Sequence, residues 1–238
     1  MNLVSLQFKT TNIFQDNLDK LVSLINNSAD GAFVLAPELC LNGYSYDRLD
    51  EAVEISNKAI ILLKDLSINK NISLTLTQKE GDKYINTLYI FNKGNIVHTQ
   101  SKYELFVMND ERKYFTAGNK EDIKIIDIDG IKIACLICFE LRFIDLWQII
   151  RGADIVLIPA MWGKLRKDNL EALSKALAIA NQCFVVVSDS ANDEMASSSA
   201  IISPFGDVYL DDNKEILIKD IDLKEITKMR RYLPIGIE

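Results

Sequence analysis

Short apolar runs of strand length alternate along this chain with stretches whose apolar residues recur at helical spacing. The predicted strands cover residues 2–8, 32–36, 72–77, 84–91, 96–100, 123–128, 131–137, 154–158 and 184–188. The predicted helices lie around residues 18–25, 50–66, 141–151 and 169–181. Turn signals at residues 92–95, 129–130 and 204–207 add hairpins to this alternation. Helices between strands, mixed with hairpins, predict an α/β fold in which helices cover a two-layered β core.

Composition limits the size and the partners of this fold. With 238 residues, of which 48% are hydrophobic, the chain can bury a sizeable core, and we expect residues 1–238 to form a single domain. The formal net charge of −7 argues against nucleic acid or an anionic membrane as a partner. The basic clusters at residues 164–167 and 228–231 are interpreted as solvated loop or helix ends. The sequence contains no apolar run of 18 residues and no signal-peptide pattern, so a soluble, cytoplasmic protein is expected.

Four cysteines, Cys40, Cys135, Cys138 and Cys183, are too few for a disulfide framework in a chain of this size and favour a reducing compartment. Cys135 and Cys138 form a C-x-x-C pattern, but they would point to opposite faces of the predicted strand. The sequence offers no second such pair and only one histidine, and we therefore expect no metal site, no disulfide and no cofactor.

Three chemically reactive side chains directly follow strand-like runs: Glu38, Lys102 and Cys138. Because an α/β sheet collects its chemistry at the carboxyl ends of its strands, residues this far apart in sequence can meet there. A carboxylate, an ammonium and a thiol together suffice for acyl transfer. The apolar run ends at Cys138, and the charged residues Glu140 and Arg142 follow, as expected where a strand turns into a helix. A thiol at such a turn lies near backbone N–H groups that lower its pKa and can hold an oxyanion.

Each of these residues also has an ordinary structural interpretation. A free cysteine is more often a buried apolar residue, a lone glutamate is usually an exposed loop carboxylate, and lysines usually lie on solvated faces. The sequence signal for Glu111 as a site residue is weaker still when this residue is considered alone. His98 is interpreted as a strand residue without a catalytic role, although a Cys-His dyad would have to use it.

The sequence around the three residues is more specific than the residues themselves. The segments are Ala36-Pro-Glu-Leu-Cys-Leu-Asn-Gly-Tyr44, Ser101-Lys-Tyr-Glu-Leu-Phe106 and Cys138-Phe-Glu-Leu-Arg-Phe143, with further matches at residues 111–118, 157–162, 178–182 and 203–206. On these motifs the chain resembles the carbon–nitrogen hydrolase family, the nitrilase superfamily, over essentially its whole length. It departs from the family pattern at Glu140, where aspartate is common, and at Leu177 and Ala180, where the family often has arginine and glutamate. The chain is also short for the family, which suggests trimmed loops.

The resemblance implies a four-layer αββα sandwich of two mixed β-sheets flanked by helices. It also implies a catalytic triad of Glu38, Lys102 and Cys138, with Glu111 as the second glutamate of the site and the Phe139 backbone N–H joining Lys102 as an oxyanion donor. The residues expected to line the substrate pocket are Tyr44, Phe106, Arg142 and Trp162.

The expected reaction is hydrolysis of a non-peptide carbon–nitrogen bond in a small amide through a cysteine thioester. The sequence looks most like the ω-amidase-like branch of the family, which cleaves the terminal amide of dicarboxylic acid monoamides. Hydrolysis of N-carbamoyl amines is the alternative reaction, and nitrile hydrolysis is a third. The non-enzymatic hypothesis is an inactive relative that binds a small metabolite or serves as an assembly subunit. We also expect at least a homodimer, formed through the helices at residues 141–151 and 169–181 and the C-terminal segment, with Leu177 and Ala180 in the contact.

Overall fold

The computed structural model describes residues 1–237. The strands are β1 (Asn2–Leu6), β2 (Phe33–Leu35), β3 (Asn71–Glu80), β4 (Lys83–Asn92), β5 (Asn95–Ser101), β6 (Ile126–Ile128), β7 (Ile131–Cys135), β8 (Ile155–Pro159), β9 (Phe184–Ser188), β10 (Ala200–Ile202), β11 (Val208–Leu210) and β12 (Ile216–Asp220). The helices are α1 (Phe14–Asn26), α2 (Leu49–Leu66), α3 (Glu111–Tyr114), α4 (Ile144–Ile149), α5 (Lys167–Asn181) and α6 (Lys224–Tyr232).

The strands form two mixed, six-stranded sheets. The first has the order β12-β1-β2-β3-β4-β5 and the second the order β11-β10-β9-β8-β7-β6. In the first sheet β1, β2 and β3 run parallel, and hairpins add β4 and β5 as antiparallel strands. In the second sheet β7, β8 and β9 run parallel, with antiparallel strands on both sides. The predicted αββα sandwich is confirmed.

The alternation of side chains along β1 explains the layers. Leu3 belongs to the apolar core between the two sheets, whereas Val4 and Leu6 face the opposite way, into the core beneath α1 and α2. In β2 the same period of two sends Phe33 to the first core and Val34 to the second. Both faces of these central strands are therefore buried, which is why their sequences are almost continuously apolar.

The structure differs from the predicted elements around Cys138. Strand β7 ends at Cys135 instead of residue 137, and helix α4 begins at Ile144 instead of residue 141. Between them, Cys138–Arg142 forms a short 3-10 turn. Cys138 has a φ of 47°, which neither a strand nor an α-helix accepts, so no regular element of either kind can run through this position.

The expected position of Leu177 in a subunit contact is wrong. This side chain is completely buried within its own chain and packs in the core beneath α5, whereas Ala180 is exposed. An apolar residue at position 177 therefore fills the interior of the subunit. Across residues 1–237 the structure contains no helix of the length and hydrophobicity required to span a membrane.

Candidate active site

Glu38, Lys102 and Cys138 all lie just beyond strand ends, as the sequence predicts, but they come from different sheets. Glu38 follows β2 and Lys102 follows β5 in the first sheet, while Cys138 follows β7 in the second. The Glu38 backbone N–H donates to the carbonyl of Ala160, which follows β8 of the second sheet, at 3.2 Å. The three side chains therefore meet where the ends of both sheets face each other.

The ammonium of Lys102 is the centre of the site. Its Nζ donates to Glu38 Oε1 at 2.8 Å, to Tyr44 Oη at 3.0 Å and to both carboxylate oxygens of Glu111 at 3.0 Å. Burial by itself lowers the pKa of Lys102, but the negative charges of Glu38 and Glu111 outweigh this effect and raise it above its ordinary value. Lys102 is therefore a fixed cation at neutral pH.

The two oxygens of Glu38 have different environments. Oε1 is occupied, because it accepts from Lys102 Nζ and from Asn86 Nδ2 at 2.9 Å. Oε2 is buried and accepts no hydrogen bond from any residue in 1–237. One oxygen is thus held in place while the other is free to accept a proton, as general-base catalysis requires.

Cys138 is held in a backbone conformation that non-glycine residues rarely adopt, with a φ of 47°. Such conformations are concentrated at functional sites, where the surrounding structure compensates for their strain. Burial and the nearby carboxylate of Glu38 raise the pKa of the thiol well above its usual range, although Lys102 and the backbone of Met161 oppose the shift. The raised pKa makes Cys138 a neutral thiol. The side chain is 7% exposed and lines a cavity, so a small molecule can reach it.

Glu111 lies behind Lys102 and does not line the cavity. Its carboxylate is fully buried and also accepts the Phe106 backbone N–H at 2.6 Å, while the Tyr44 hydroxyl donates to Oε1 at 3.2 Å. Burial raises the pKa of Glu111 and Lys102 opposes this rise. Glu111 thus connects Lys102, through hydrogen bonds, to the backbone of Phe106, which lines the cavity.

The predicted pocket residues surround one cavity of about 490 Å³. Its lining contains the predicted pocket residues Tyr44, Phe106, Arg142 and Trp162 together with Glu38, Lys102, Cys138 and Phe139. The sequence did not point to the remaining lining residues, Met108, Asn109, Met161, Gly163, Arg166 and Met195. This volume suits a small ligand, because ligand pockets start at about 300 Å³.

The assignment of residues 164–167 to a solvated loop is wrong for Arg166, which lines the cavity. Its guanidinium lies 5.3 Å from the centre of the Phe106 ring, and that of Arg142 lies 4.8 Å from the Trp162 ring. Within residues 1–237 neither arginine is ion-paired with a carboxylate. Two cations therefore border a cavity without an anion of the protein to neutralise them.

Two buried polar residues support the site without having been predicted. Asp189 follows β9 and accepts the backbone N–H groups of Trp162 at 2.9 Å and Ser198 at 3.2 Å. Burial raises its pKa to about 7, while those hydrogen bonds lower it. The rule that polar residues at strand ends form sites would have found Asp189. Asn86 lies inside β4, where no sequence signal distinguishes it.

Comparisons with known proteins identify the family of the chain. A model of the carbon-nitrogen hydrolase family matches residues 4–231. The 2-oxoglutaramate amidase of Bacillus subtilis is 33% identical over 236 residues, which cover 92% of this chain and 90% of that protein. The mouse omega-amidase NIT2 is 27% identical, with coverage of 98% of this chain and 92% of that protein.

Solved structures support the fold independently. XC1258 from Xanthomonas campestris, a CN-hydrolase superfamily protein, superposes with a TM-score of 0.87 at 20% identity and covers 98% of this chain and 95% of that one. Nit3 from Saccharomyces cerevisiae, a nitrilase superfamily member, also gives a TM-score of 0.87, at 22% identity and with 100% and 96% coverage. By sequence model, relatives and fold together, the chain belongs to the carbon–nitrogen hydrolase family.

Proposed function

We propose that this protein is an amidase that releases ammonia from the terminal amide of a small monoamide of a dicarboxylic acid, through a thioester on Cys138. The observation that carries the proposal is the arrangement of Lys102 between two buried carboxylates, Glu38 and Glu111, beside a thiol at the end of a cavity. Such an arrangement is expensive to bury and has little value for stability alone.

In the proposed mechanism Glu38 acts as the general base. Its free Oε2 takes the proton of the Cys138 thiol as sulfur attacks the amide carbon, because the raised pKa leaves the thiol neutral. The tetrahedral intermediate collapses, and protonated Glu38 transfers its proton to the departing nitrogen, so that ammonia leaves. Water then attacks the thioester while Glu38 accepts its proton, and the acid and the free thiol are released.

Two donors would stabilise the oxyanion of the intermediate. The Lys102 ammonium borders the cavity beside Cys138. The Phe139 backbone N–H lies in the first turn of the 3-10 segment, where a helical turn provides no internal acceptor. A donor of this kind contributes about 3 kcal/mol to the transition state in other oxyanion holes.

Arg142 and Arg166 support a substrate that carries a carboxylate. Both line the cavity that contains Cys138, and neither is neutralised by a carboxylate of the protein. Guanidinium groups bind carboxylates through strong, charge-assisted hydrogen bonds. The names of the two relatives, 2-oxoglutaramate amidase and omega-amidase, agree with this class of substrate.

A substrate panel tests this proposal. Ammonia release should be fastest with dicarboxylic monoamides and slower with uncharged amides of the same chain length, with N-carbamoyl amines and with nitriles. The Arg166→Gln variant should lose about 10- to 100-fold in kcat/KM for the carboxylate-bearing amide, mainly through KM, because one charged hydrogen bond is removed. Its kcat/KM for the uncharged amide should change little.

Lys164→Gln is the matched control, since Lys164 is exposed in the same segment and does not line the cavity. It should retain the wild-type preference. Faster turnover of an N-carbamoyl amine or a nitrile would replace the proposed substrate class with one of the alternatives, and no ammonia release from any compound would favour the inactive relative.

We also propose that the protein is at least a homodimer in solution. Around α4, α5 and the β10–β11 hairpin, large apolar side chains are exposed: Ile144, Ile149, Ile179, Phe205 and Val208. Gly206 in this hairpin packs against Ile179, so the hairpin and α5 form one continuous surface. Exposed apolar surfaces of this kind mark protein interfaces, and two-fold dimers are the commonest soluble oligomers.

Light scattering at micromolar concentration should give at least twice the 26.9 kDa of one chain. Ile179→Glu should shift the mass toward the monomer, because it places a charge on this surface. Ile61→Glu is the control, since Ile61 is exposed on the distant helix α2. A wild-type protein with the mass of one chain would contradict the dimer.

The cytoplasm is the compartment that we propose. The cysteines within residues 1–237 are all free and buried, and such thiols persist most readily where the surroundings are reducing. Cell fractionation with a tagged protein would test this assignment.

A further inference from the structure

We propose that Glu140 is a positioning residue that holds the loop of Lys102 and the turn of Cys138 together across the two sheets. Its carboxylate is completely buried, does not line the cavity and takes no part in the proposed mechanism. The inference rests on the proposed function in that it assigns Glu140 a part in the same reaction.

The hydrogen bonds of Glu140 carry the inference. Oε1 accepts the backbone N–H of Tyr103 at 2.7 Å, and Oε2 accepts the backbone N–H of Ile137 at 2.6 Å. Tyr103 directly follows Lys102, and Ile137 directly precedes Cys138. A single carboxylate thus contacts the neighbours of the ammonium and of the thiol, one residue away from each.

These two segments belong to different layers of the sandwich. Lys102 follows β5, an outer strand of the first sheet, while Cys138 follows β7 of the second sheet. Strand pairing within either sheet therefore does not set the distance between ammonium and thiol. Glu140 provides a direct hydrogen-bonded connection between the two segments. A second connection between the sheets is the hydrogen bond from the Glu38 backbone N–H to Ala160.

A carboxylate is the side chain that suits this position. Two backbone N–H groups need two acceptors, and an ionised carboxylate presents two oxygens and no competing donor. Burial raises the pKa of Glu140 to about 7 even though the hydrogen bonds from Ile137 and Tyr103 and the charge of Lys102 oppose the rise, so the carboxylate that accepts both N–H groups is fully formed only above neutral pH. An unpaired charge of this kind is costly to bury, so its retention needs an explanation beyond packing.

The Glu140→Gln variant tests the role with little change in shape. Its amide oxygen can accept one N–H, but its NH₂ group would face the other, so one of the two loops must move. We expect kcat for the best amide to fall about 10- to 100-fold, because small displacements of reacting groups cost this much. KM should stay within about twofold, since Glu140 does not touch the cavity. Glu140→Asp, which keeps both oxygens on a shorter chain, should give an intermediate kcat.

Alkylation of Cys138 by iodoacetamide gives a second readout that needs no substrate. If Glu140 positions Lys102 beside the thiol, Glu140→Gln should alkylate more slowly than the wild type, because the thiolate loses its nearby cation. If Glu140 acted only through its charge, removal of that negative charge would favour the thiolate and speed the reaction. Peptide mass spectrometry assigns the modified cysteine.

A variant with a different buried hydrogen bond removed controls for general destabilisation. The Asn181 side chain donates to the Trp147 carbonyl at 3.0 Å, between α5 and α4 and away from the cavity. Asn181→Ala should lower the thermal midpoint and leave kcat and the alkylation rate near those of the wild type.

The outcomes separate the two proposals. A kcat of Glu140→Gln within twofold of the wild type, or alkylation that is unchanged or faster, would overturn the positioning role. If Glu140→Gln does not fold, the same comparison is made with Glu140→Asp, for which a reduced kcat and slower alkylation are expected. If the wild type releases no ammonia from any amide, the proposed function fails, while the alkylation rates still decide the role of Glu140.

Discussion

Replacement of Cys138 by alanine is expected to lower ammonia release by about 10⁴-fold or more, because no other group can form the thioester and removal of a nucleophile has effects of this size in other enzymes. Glu38, Lys102 and the cavity would remain, so KM for any residual turnover should change far less than kcat. Ammonia release measures the rate. Intact-mass spectrometry with a slowly hydrolysed amide should detect an acyl adduct on the wild type and none on Cys138→Ala.

Cys135→Ala is the matched control. Cys135 lies three residues earlier, at the end of β7, and is buried in the apolar core. Burial, reinforced by the charge of Glu140, raises the pKa of its thiol, and the side chain does not line the cavity. This variant should keep most of the activity, and equal losses in the two variants would contradict Cys138 as the nucleophile.

The fold of Cys138→Ala should be intact. Alanine and cysteine meet the same backbone strain at a φ of 47°, and the change removes one sulfur atom from a side chain that borders a cavity. Its thermal unfolding should therefore match that of the wild type, so that a loss of turnover reports on chemistry. If Cys138→Ala does not fold, the nucleophile is identified on the wild type instead, by mapping the acyl adduct to Cys138 with peptide mass spectrometry.

Residues at strand ends could be predicted from sequence. The buried central strands are continuously apolar, so the end of an apolar run in the sequence marks the end of a strand. Glu38, Lys102 and Cys138 were found in this way, and Asp189 follows the same rule. Asn86 could not be found, because it lies within β4, where the sequence gives no sign that its side chain reaches the carboxylate of Glu38. Arg166 could not be found either, since its basic segment looks like any solvated one.

The two peripheral elements that were missed, β12 and α6, bury few of their residues. Strand β12 adds to the edge of the first sheet beside β1, and only Leu217 of its five residues is buried. Helix α6 is predominantly polar and buries only Ile226 and Met229. Neither element has a continuous buried face, because each lies at the margin of a core that is formed by the central strands. Hydrophobic periodicity therefore predicts the centre of this sandwich better than its periphery.

The Lys102→Met variant should lose both activity and stability. Within residues 1–237 it removes the one cation that is ion-paired with Glu38 and Glu111, whose side chains are 0% exposed. Breaking a buried ion pair from one side costs about 3–5 kcal/mol in the free energy of unfolding, because a charge is left without compensation. Turnover should fall by at least about 10²-fold, since an oxyanion donor is lost. Denaturant unfolding and ammonia release measure the two effects.

Lys120→Met is the control for removal of a lysine from an ion pair. Lys120 pairs with Asp145 at 2.6 Å, but the two side chains are 39% and 59% exposed. Exposed pairs contribute little to stability because water and salt screen them. This variant should have the unfolding free energy and the turnover of the wild type. An equal loss of unfolding free energy in Lys102→Met and Lys120→Met would contradict a large stabilising contribution of Lys102 to the buried cluster.

The pH dependence of unfolding should identify the unpaired carboxylates as the cause. In the wild type the pKa of Lys102 is raised above 10.5, so its stabilising contribution is complete below that pH and is lost only as the pH rises through the folded value. In Lys102→Met the largest influence that lowers the pKa of Glu111 is gone, so burial and the charge of Glu38 raise this pKa further above 4.5 than in the wild type. The folded variant then binds more protons than the unfolded chain above about pH 4.5, so its stability falls as the pH rises from 5 to 8. The deficit relative to the wild type should therefore widen over this interval, and a deficit independent of pH would mean that lost packing of the lysine chain, not unpaired charge, destabilises the variant.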